Sequence, residues 1–303
     1  MAIKKCKYIL FLFSCYIYAQ QDAQYTQYMY NTVAINPAYA GSRNCISIFG
    51  LHRNQWIGFD GAPVTNSASL NMPIENSNLG VGLSFINDKI GPTVENNMAT
   101  DLSYSIRLSK SYKLALGLKG SLNTFNLDVS QLNPQYIEDP LLQNFKNKLS
   151  FNVGSGLYLY SDKTYVGLSI PYFFVNNRYD DNEVAVYKEQ FQWYFIGGSV
   201  FELNPNVKLK PAFLIKSAQG SPLQIDVSGN FLFYDQFTLG TAWRSSNVMS
   251  FLTGVQINQS LFIGYGYDLE NTKLSRYNSG SHEFFLRFEL FSRSSKIVSP
   301  RFF

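Results

Sequence analysis

Histidine and nucleophilic serine are the side chains from which many enzyme sites are built, and the histidines are sparse in this chain of 303 residues. The two histidines, His52 and His282, lie far apart, and neither has the HExxH or a similar metal-binding spacing. No serine occupies a GxSxG turn, which exposes the nucleophile in many hydrolases. Catalysis would require the fold to bring a serine to one of the histidines. The sequence therefore predicts no catalytic residue, no metal site and no enzyme activity.

Acidic and glycine-rich stretches give no stronger indication of a bound ligand. Residues 180–183 read Asp-Asp-Asn-Glu but lack the glycine and the alternating ligand spacing of a calcium loop, and Glu138 with Asp139 is a similar case. We interpret both as solvated loops. Residues 154–156 and 264–266 carry Gly-x-Gly inside predicted strands, not at a strand-to-helix turn that cradles phosphate. These glycines are predicted to relieve crowding where strands bend, and no cofactor is predicted.

The elements that would position any site are strands with alternating faces. Residues 98–108 show the pattern most clearly, because apolar and polar side chains alternate along the segment and successive side chains of a strand point to opposite sides. The predicted apolar face contains Met98, Thr100, Leu102, Tyr104, Ile106 and Leu108. The predicted polar face contains Ala99, Asp101, Ser103, Ser105 and Arg107. One side of this strand therefore meets an apolar environment.

About fourteen such segments recur along the chain. They start near Ile46, Val64, Leu79, Met98, Leu114, Ser150, Tyr165, Phe191, Val207, Leu223, Phe237, Val248, Leu261 and His282. Short turns alternate with generally longer loops, predicted at residues 58–63, 87–97, 128–149, 176–188 and 269–281. This alternation is typical of bacterial outer-membrane barrels, whose short turns face the periplasm. The predicted fold is an all-β, antiparallel transmembrane barrel with both termini in the periplasm. A soluble β-sandwich is the alternative, but strands of about ten residues with continuous apolar faces favour the barrel.

Composition and the N-terminus support this placement. Charged residues are 15% and aromatic residues 16% of the chain, as suits a wall that faces lipid on one side. Residues 1–19 show a basic start, a short apolar core and Ala19 at a plausible cleavage position, which predicts a secretory signal. A lipidation box ending at Cys15 is the alternative, and the bulky Phe13 argues against it. The predicted organisation is a signal peptide (1–19), a periplasmic or lumenal segment (20–45), the barrel (46–292) and a periplasmic tail (293–303).

The predicted inward faces carry charges of both signs, at Asp101, Asp226, Glu283 and Glu289 and at Arg107, Lys119, Lys208, Lys210, Lys216, Arg244 and Arg287. A wide diffusion pore would leave these charges hydrated, whereas a narrow or plugged lumen would pair them. The sequence leaves both possibilities open. A net charge of +4 with scattered basic residues gives no indication of a nucleic-acid partner.

One region departs from simple alternation and resembles a known family. It contains Gln27-Tyr28-Met29, the block Asn36-Pro37-Ala38-Tyr39-Ala40-Gly41-Ser42, the block Arg53-Asn54-Gln55-Trp56-Ile57-Gly58, and Gly61-Ala62-Pro63. In this order, the four motifs resemble the N-terminal signature of the PorP/SprF family of the Bacteroidetes type IX secretion system. The specific resemblance covers about the first 90 residues. It marks Asn36, Pro37, Ala38, Gly41, Arg53, Gln55, Trp56 and Gly58 as signature positions without assigning them a role.

The resemblance implies an outer-membrane component that supports secretion or surface attachment of specific cargo, adhesins among them, and a link to gliding motility. It also implies periplasmic partners from the type IX system, in addition to the outer-membrane lipids. The segment 20–42 precedes the first strand and is rich in turn signals, so it is free to plug the lumen, to dock a partner, or to do both. Trp56 is predicted to anchor at the membrane interface. A channel for small molecules remains the alternative function, and an open lumen would favour it.

Overall fold

The computed structural model describes residues 28–132, 144–174, 177–179, 185–188, 191–219 and 221–290. The predicted signal peptide, the start of the predicted lumenal segment and the predicted C-terminal tail lie outside these residues. Within them, no helix is long and apolar enough to cross a membrane. The described chain begins with a short helix α1 (Thr32–Ile35) and a single 3-10 turn (Pro37–Tyr39), and it continues almost entirely as strands.

The strands alternate with turns and loops along the rest of the chain. In chain order they are β1 (Ile46–Asn54), β2 (Val64–Pro73), β3 (Leu79–Ile90), β4 (Thr93–Arg107), β5 (Lys113–Leu127), β6 (Phe145–Tyr160), β7 (Thr164–Ile170), β8 (Asn177–Tyr179), β9 (Ala185–Lys188), β10 (Gln192–Ser199), β11 (Phe201–Asn204), β12 (Val207–Ala218), β13 (Gln224–Phe233), β14 (Phe237–Arg244), β15 (Val248–Gln256), β16 (Leu261–Glu270) and β17 (Ser281–Leu290).

These strands close into an antiparallel barrel of 14 wall strands. The first strand β1 pairs with the last strand β17, and β10 pairs with both β7 and β12, so the ring has no open edge. After an interruption at Val200, β11 continues β10 along β12, and the two count as one wall strand. The short strands β8 and β9 form a separate ribbon. The predicted barrel and its strand number are therefore confirmed, and the sandwich is excluded.

The barrel has two different ends. At one end, here called the turn end, β1 begins, β17 ends and connections such as residues 161–163 and 234–236 are short. The opposite end, here called the loop end, carries the longer connections, including residues 55–63 and 271–280. One predicted loop is wrong: residues 87–97 belong mostly to β3 and β4, which are joined by Gly91 and Pro92 alone. The polar residues of that stretch lie within two strands that extend beyond the apolar wall.

The predicted faces of residues 98–108 are confirmed except at Arg107, which is exposed at the end of β4. Met98, Leu102 and Tyr104 are exposed on the outside of β4, whereas Asp101 and Ser103 are buried on the inside, with exposed fractions of 0% and 1%. From Met98 to Leu108 the outward side chains make an apolar band about 25 Å tall, given the rise per residue and tilt of barrel strands. This height matches the apolar band of an outer-membrane barrel.

Candidate functional site

The lumen of the barrel is filled by the segment that precedes β1. This segment, residues 28–45, is here called the plug. Its side chains are mostly buried, and Val33, Asn36 and Ala38 are 1%, 0% and 0% exposed. With aromatic residues of the wall it forms the main hydrophobic core of the described residues. Of the two placements that the sequence left open for this segment, residues 28–45 occupy the lumen.

Hydrogen bonds tie the plug to strands on several sides of the barrel. Asn31 bonds to the hydroxyls of Ser67 and Ser69 on β2, at 3.2 and 2.9 Å. On the opposite side of the ring, the amide of Asn230 on β13 lies 3.2 Å from the sulfur of Met29. Because the contacts run around the ring, the plug cannot leave without breaking bonds to many strands.

Tyr30 anchors the plug on the aromatic side of the lumen. Its ring stacks on Phe262 at 5.4 Å between centroids and packs against Phe285 at 4.9 Å. The cations of Lys210 and Arg287 lie 5.9 and 5.8 Å from the ring centre, where they interact favourably with its face. Burial raises the pKa of Tyr30 to about 12, so the phenol stays protonated at physiological pH.

Asn36 and its neighbours pack on the strands β3 to β7 near the turn end. The Asn36 side chain accepts a hydrogen bond from the backbone nitrogen of Ala38 at 3.0 Å, which caps the 3-10 turn that Pro37 begins. Its amide nitrogen also donates to the backbone oxygen of Leu157 on β6 at 3.0 Å. The signature block Asn-Pro-Ala therefore folds as a capped turn that is bonded directly to the wall.

Glycines in the wall provide the space for this turn. A Cβ atom on Gly117 would overlap the backbone of Ala38, and one on Gly156 would overlap the side chain of Asn36. In the plug itself, Gly41 has φ of +71°, and a Cβ there would lie 2.7 Å from the Cα of Gly80. Gly156 was predicted to relieve crowding where a strand bends. Its role in the structure is different, because it leaves space for the side chain of Asn36 in the plug.

The buried carboxylates of the lumen are paired with cations, whereas Lys210 and Lys216 lie 5.9 and 5.7 Å from the ring centres of Tyr30 and Tyr194. Lys119 lies 2.8 Å from Asp101, and Arg244 lies 3.0 Å from Asp226, with all four side chains at most 8% exposed. Arg43 of the plug pairs with Glu289 on β17. Buried charges need such partners, because desolvation penalises an isolated ion heavily. This pairing matches the narrow or plugged lumen and not the hydrated pore.

Two of the predicted lumenal charges lie elsewhere. Arg107 is exposed at the end of β4, and Lys208 pairs with Asp235 in the turn after β13, at 2.5 Å. Both residues occur where a strand reaches the turn end and its inward face opens to solvent. Alternation alone does not show where along a strand the closed part of the lumen ends.

The second signature block closes the seam between the first and last strands. The guanidinium of Arg53 on β1 lies 3.0 Å from Glu283 on β17 and 2.7 Å from Asp268 on β16. All three side chains are at most 2% exposed. Because a planar guanidinium offers two parallel pairs of donors, one arginine bridges two strands. We call Arg53, Asp268 and Glu283 the clasp.

Residues just beyond the clasp join the loops above it. Trp56 donates from its ring nitrogen to Glu270 at 2.7 Å, and the backbone nitrogen of Gln55 donates to the oxygen of Pro63 at 3.0 Å. Ile57 and the segment at Gly280 are joined by backbone hydrogen bonds. Gly58 is exposed with φ of +94°, a conformation that favours glycine. Trp56 thus holds two loops together, and its predicted role as a membrane anchor stays a prediction.

The signature positions therefore form two sites and not one. Asn36, Pro37, Ala38 and Gly41 lie in the plug toward the turn end, whereas Arg53, Gln55, Trp56 and Gly58 lie at the seam toward the loop end. Asp268, which forms the shorter of the two ion pairs of Arg53, was not among the predicted lumenal charges. Continued alternation after Phe262 and Gly264 would have placed it inside.

The histidines lie on the outer surface. His52 hydrogen-bonds to Asn66 and His282 to Tyr265, each at about the usual distance. Among the residues that the structure describes, no three His, Cys, Asp or Glu side chains are close enough to hold a metal ion. The one cysteine of the described residues, Cys45, is free and buried beside Glu289, and burial raises its pKa to about 11.

Comparisons with known proteins agree with this architecture. The family model described as "Type IX secretion system membrane protein PorP/SprF" matches residues 17–288. No curated protein matches the chain.

Among solved structures, the toluene transporter TodX of Pseudomonas putida is 9% identical with a TM-score of 0.50, over 85% of this chain and 92% of TodX. The outer membrane protein Omp33 of Acinetobacter baumannii is 8% identical with a TM-score of 0.48, over 82% of this chain and 100% of Omp33. At these identities the likeness concerns the barrel fold alone.

Proposed function

Because the chain belongs to the PorP/SprF family of type IX secretion system membrane proteins, we propose that it is a plugged barrel that supports the export or surface attachment of specific cargo proteins, adhesins among them. Its secretion-related place in the outer membrane follows from the family and the fold. The plugged lumen is the observation that carries the finer proposal. A barrel filled by its own N-terminal segment is better suited to holding partners than to passing solutes.

The proposal assigns different partners to the two ends. Short periplasmic turns and longer outside loops are the rule in outer-membrane barrels, so we place the turn end in the periplasm and the loop end outside. The plug leaves the lumen at the turn end through Cys45, where β1 begins. Periplasmic components of the secretion system would then meet the turn end, and cargo would meet the loops held by Trp56 and the clasp. We propose no catalytic step.

The test compares a strain that lacks the protein with strains that carry variants. Surface and culture-medium proteomes of the deletion strain should show that one or a few secreted proteins are lost from the surface, whereas most outer-membrane proteins are unchanged. In Gly117→Val, the new side chain would overlap the backbone of Ala38 and displace the plug. This variant should reproduce the loss of surface proteins while the barrel remains in the membrane. Gly229→Val is the matched control, because that glycine has open space around it.

The channel alternative makes the opposite prediction. Purified wild-type protein in planar bilayers should pass little or no current if the plug stays in place. If the deletion strain keeps every surface protein at its normal level, and the purified barrel conducts steadily, cargo handling is wrong and the channel takes its place.

A further inference from the structure

A continuous row of hydrogen-bonded polar side chains crosses the outside of five strands. His52 lies 2.8 Å from the side-chain oxygen of Asn66, and Asn66 donates to Asn87 at 3.4 Å. Asn87 donates to Asn96 at 2.8 Å, and Asn96 donates to the hydroxyl of Thr124 at 3.2 Å. We call these five residues the polar ladder.

Strand register shows that the ladder is one level of the barrel wall. Its members are directly paired neighbours from β1 to β5. They point outward, because the next residues along the same strands, such as Arg53 and Thr65, are buried on the inside. The ladder therefore lies on the lipid-facing side of the barrel, although it has the chemistry of an aqueous surface.

The ladder marks the edge of the hydrocarbon region. Met98, the next outward residue on β4 after Asn96, is the first of the apolar band. Amide groups in hydrocarbon cost several kcal/mol when unsatisfied, so the row fits the headgroup level. Close by on β16 and β17, Tyr265 and His282 bond on the same outer face, as expected of side chains at a membrane interface.

A concave apolar groove lies directly below the ladder. Its volume is about 900 Å³, and it is shallow and open along its length. Small residues, Ala68, Thr100 and Gly120, form its floor, and larger ones, including Phe85 and Phe151, rise beside them. Nothing lies within 4 Å of a Cβ built on Gly120, so the floor is open toward the lipid.

We propose that the groove and the ladder together bind one phosphorylated glycolipid of the membrane leaflet at the loop end. Its acyl chains lie in the groove, and the hydroxyl groups of its sugar headgroup bond to the ladder. Each asparagine of the ladder uses one donor and one acceptor along the row, whereas a side-chain amide has two donor hydrogens and two acceptor lone pairs. Sugar hydroxyls, which both donate and accept, match that remaining capacity.

A nearby cation supports the phosphate on this lipid. Lys89 is exposed on β3, one outward position beyond Asn87 toward the loop end, opposite Val64 and Val94. A lysine at headgroup height attracts anionic lipid groups. An ordinary phospholipid would fill the groove but would leave most of the amide row without ligand. The inference depends on the outer-membrane barrel and not on the proposed handling of cargo.

The test uses the full chain in nanodiscs of phosphatidylethanolamine that contain a small fraction of lipid A, an acylated and phosphorylated glucosamine disaccharide. Native mass spectrometry then counts the lipid A that stays bound after the disc is removed. Wild-type protein should retain one lipid A. Gly120→Phe, which fills the groove, should abolish retention. Gly229→Phe is the control, because Gly229 also faces outward with open space but lies on β13, away from the groove.

A ladder variant separates headgroup recognition from simple filling of the groove. Asn87→Leu should lower lipid A retention about tenfold relative to phosphatidylethanolamine, as expected for the loss of one or two hydrogen bonds. The barrel should remain folded in each variant, as judged by its altered migration in unheated gels. Three results would each overturn the proposal: equal retention in Gly120→Phe and Gly229→Phe, no effect of Asn87→Leu, or a groove that is occupied by a second copy of the chain.

Discussion

Replacing Arg53 by methionine should destabilise the barrel far more than removing a charge from an exposed ion pair. Arg53→Met keeps most of the side-chain volume but removes the cation that lies 2.7 Å from Asp268 and 3.0 Å from Glu283. Both carboxylates stay buried, with 1% of each side chain exposed. Removing one partner from a buried ion pair typically costs about 3–5 kcal/mol, because an uncompensated charge remains.

A second estimate from the hydrogen bonds gives a similar size. The clasp contains two hydrogen bonds between charged groups, and each such bond contributes about 1.5–3 kcal/mol. The two estimates overlap, so we expect the free energy of unfolding to fall by about 3–5 kcal/mol. Removing all three charges, in the triple variant with Asp268→Asn and Glu283→Gln, should recover most of this loss because no stranded ion is left.

The assay is reversible urea unfolding in lipid vesicles, followed by tryptophan fluorescence. Lys208→Met is the matched control, because Lys208 pairs with an exposed carboxylate, Asp235, whose side chain is 65% exposed. Exposed pairs contribute about 0–1 kcal/mol. If Arg53→Met costs no more than Lys208→Met, or if the triple variant is as unstable as Arg53→Met alone, the argument for an electrostatic clasp is refuted.

Three further outcomes are expected. Leu102→Arg should lower the free energy of unfolding by about 2–4 kcal/mol if Leu102 lies near the midplane, whereas Val94→Arg, beyond the apolar band on the same strand, should lower it by about 0–1 kcal/mol. Equal losses for the two variants in vesicle unfolding would show that the band is misplaced. Gly117→Val should raise single-channel conductance in planar bilayers, whereas Gly229→Val should not, since only the former overlaps the plug. Burial raises the pKa of Cys45 to about 11, so little thiolate is present and Cys45 should react with maleimide far more slowly in the folded protein than in urea. Rapid labelling of the folded form, detected by peptide mapping, would mean that the plug is loosely held.

The sequence predicts the wall of this barrel well because alternation is a local property. Leu102 and Ser103 differ in character, and each side chain faces the environment that its chemistry favours. The signature motifs also indicated the family from a short stretch near the N-terminus. Both inferences use only residues that are close together in the chain.

The sites were harder to predict because they depend on register between distant strands. Nothing near Arg53 in the sequence indicates Asp268, which is 215 positions away. Residues 269–281, directly after Asp268, were predicted to form a loop. The same limit applies to Asn87 and Asn96, which suggested a loop as isolated polar residues. Paired across β3 and β4, they are part of a regular row.

Glycine in a strand gives a similarly ambiguous signal. A bend and a close approach of another segment both require the absence of a side chain, so Gly156 could be assigned to either. The structure shows the second, because the space is occupied by Asn36. The sequence separation of these two residues again hides the contact from a local pattern.

The clasp also has a consequence for the order of folding. Arg53 is made near the start of the chain, but its partners Asp268 and Glu283 lie 215 and 230 residues later. Contacts of such long range form late, because a large loop must close first. A chain that ends before β16 would have to bury Arg53 without the carboxylates of Asp268 and Glu283. Completion of the last two strands is therefore a thermodynamic requirement for burying Arg53 on the first one, and a truncated barrel is expected to leave this end of β1 unsealed.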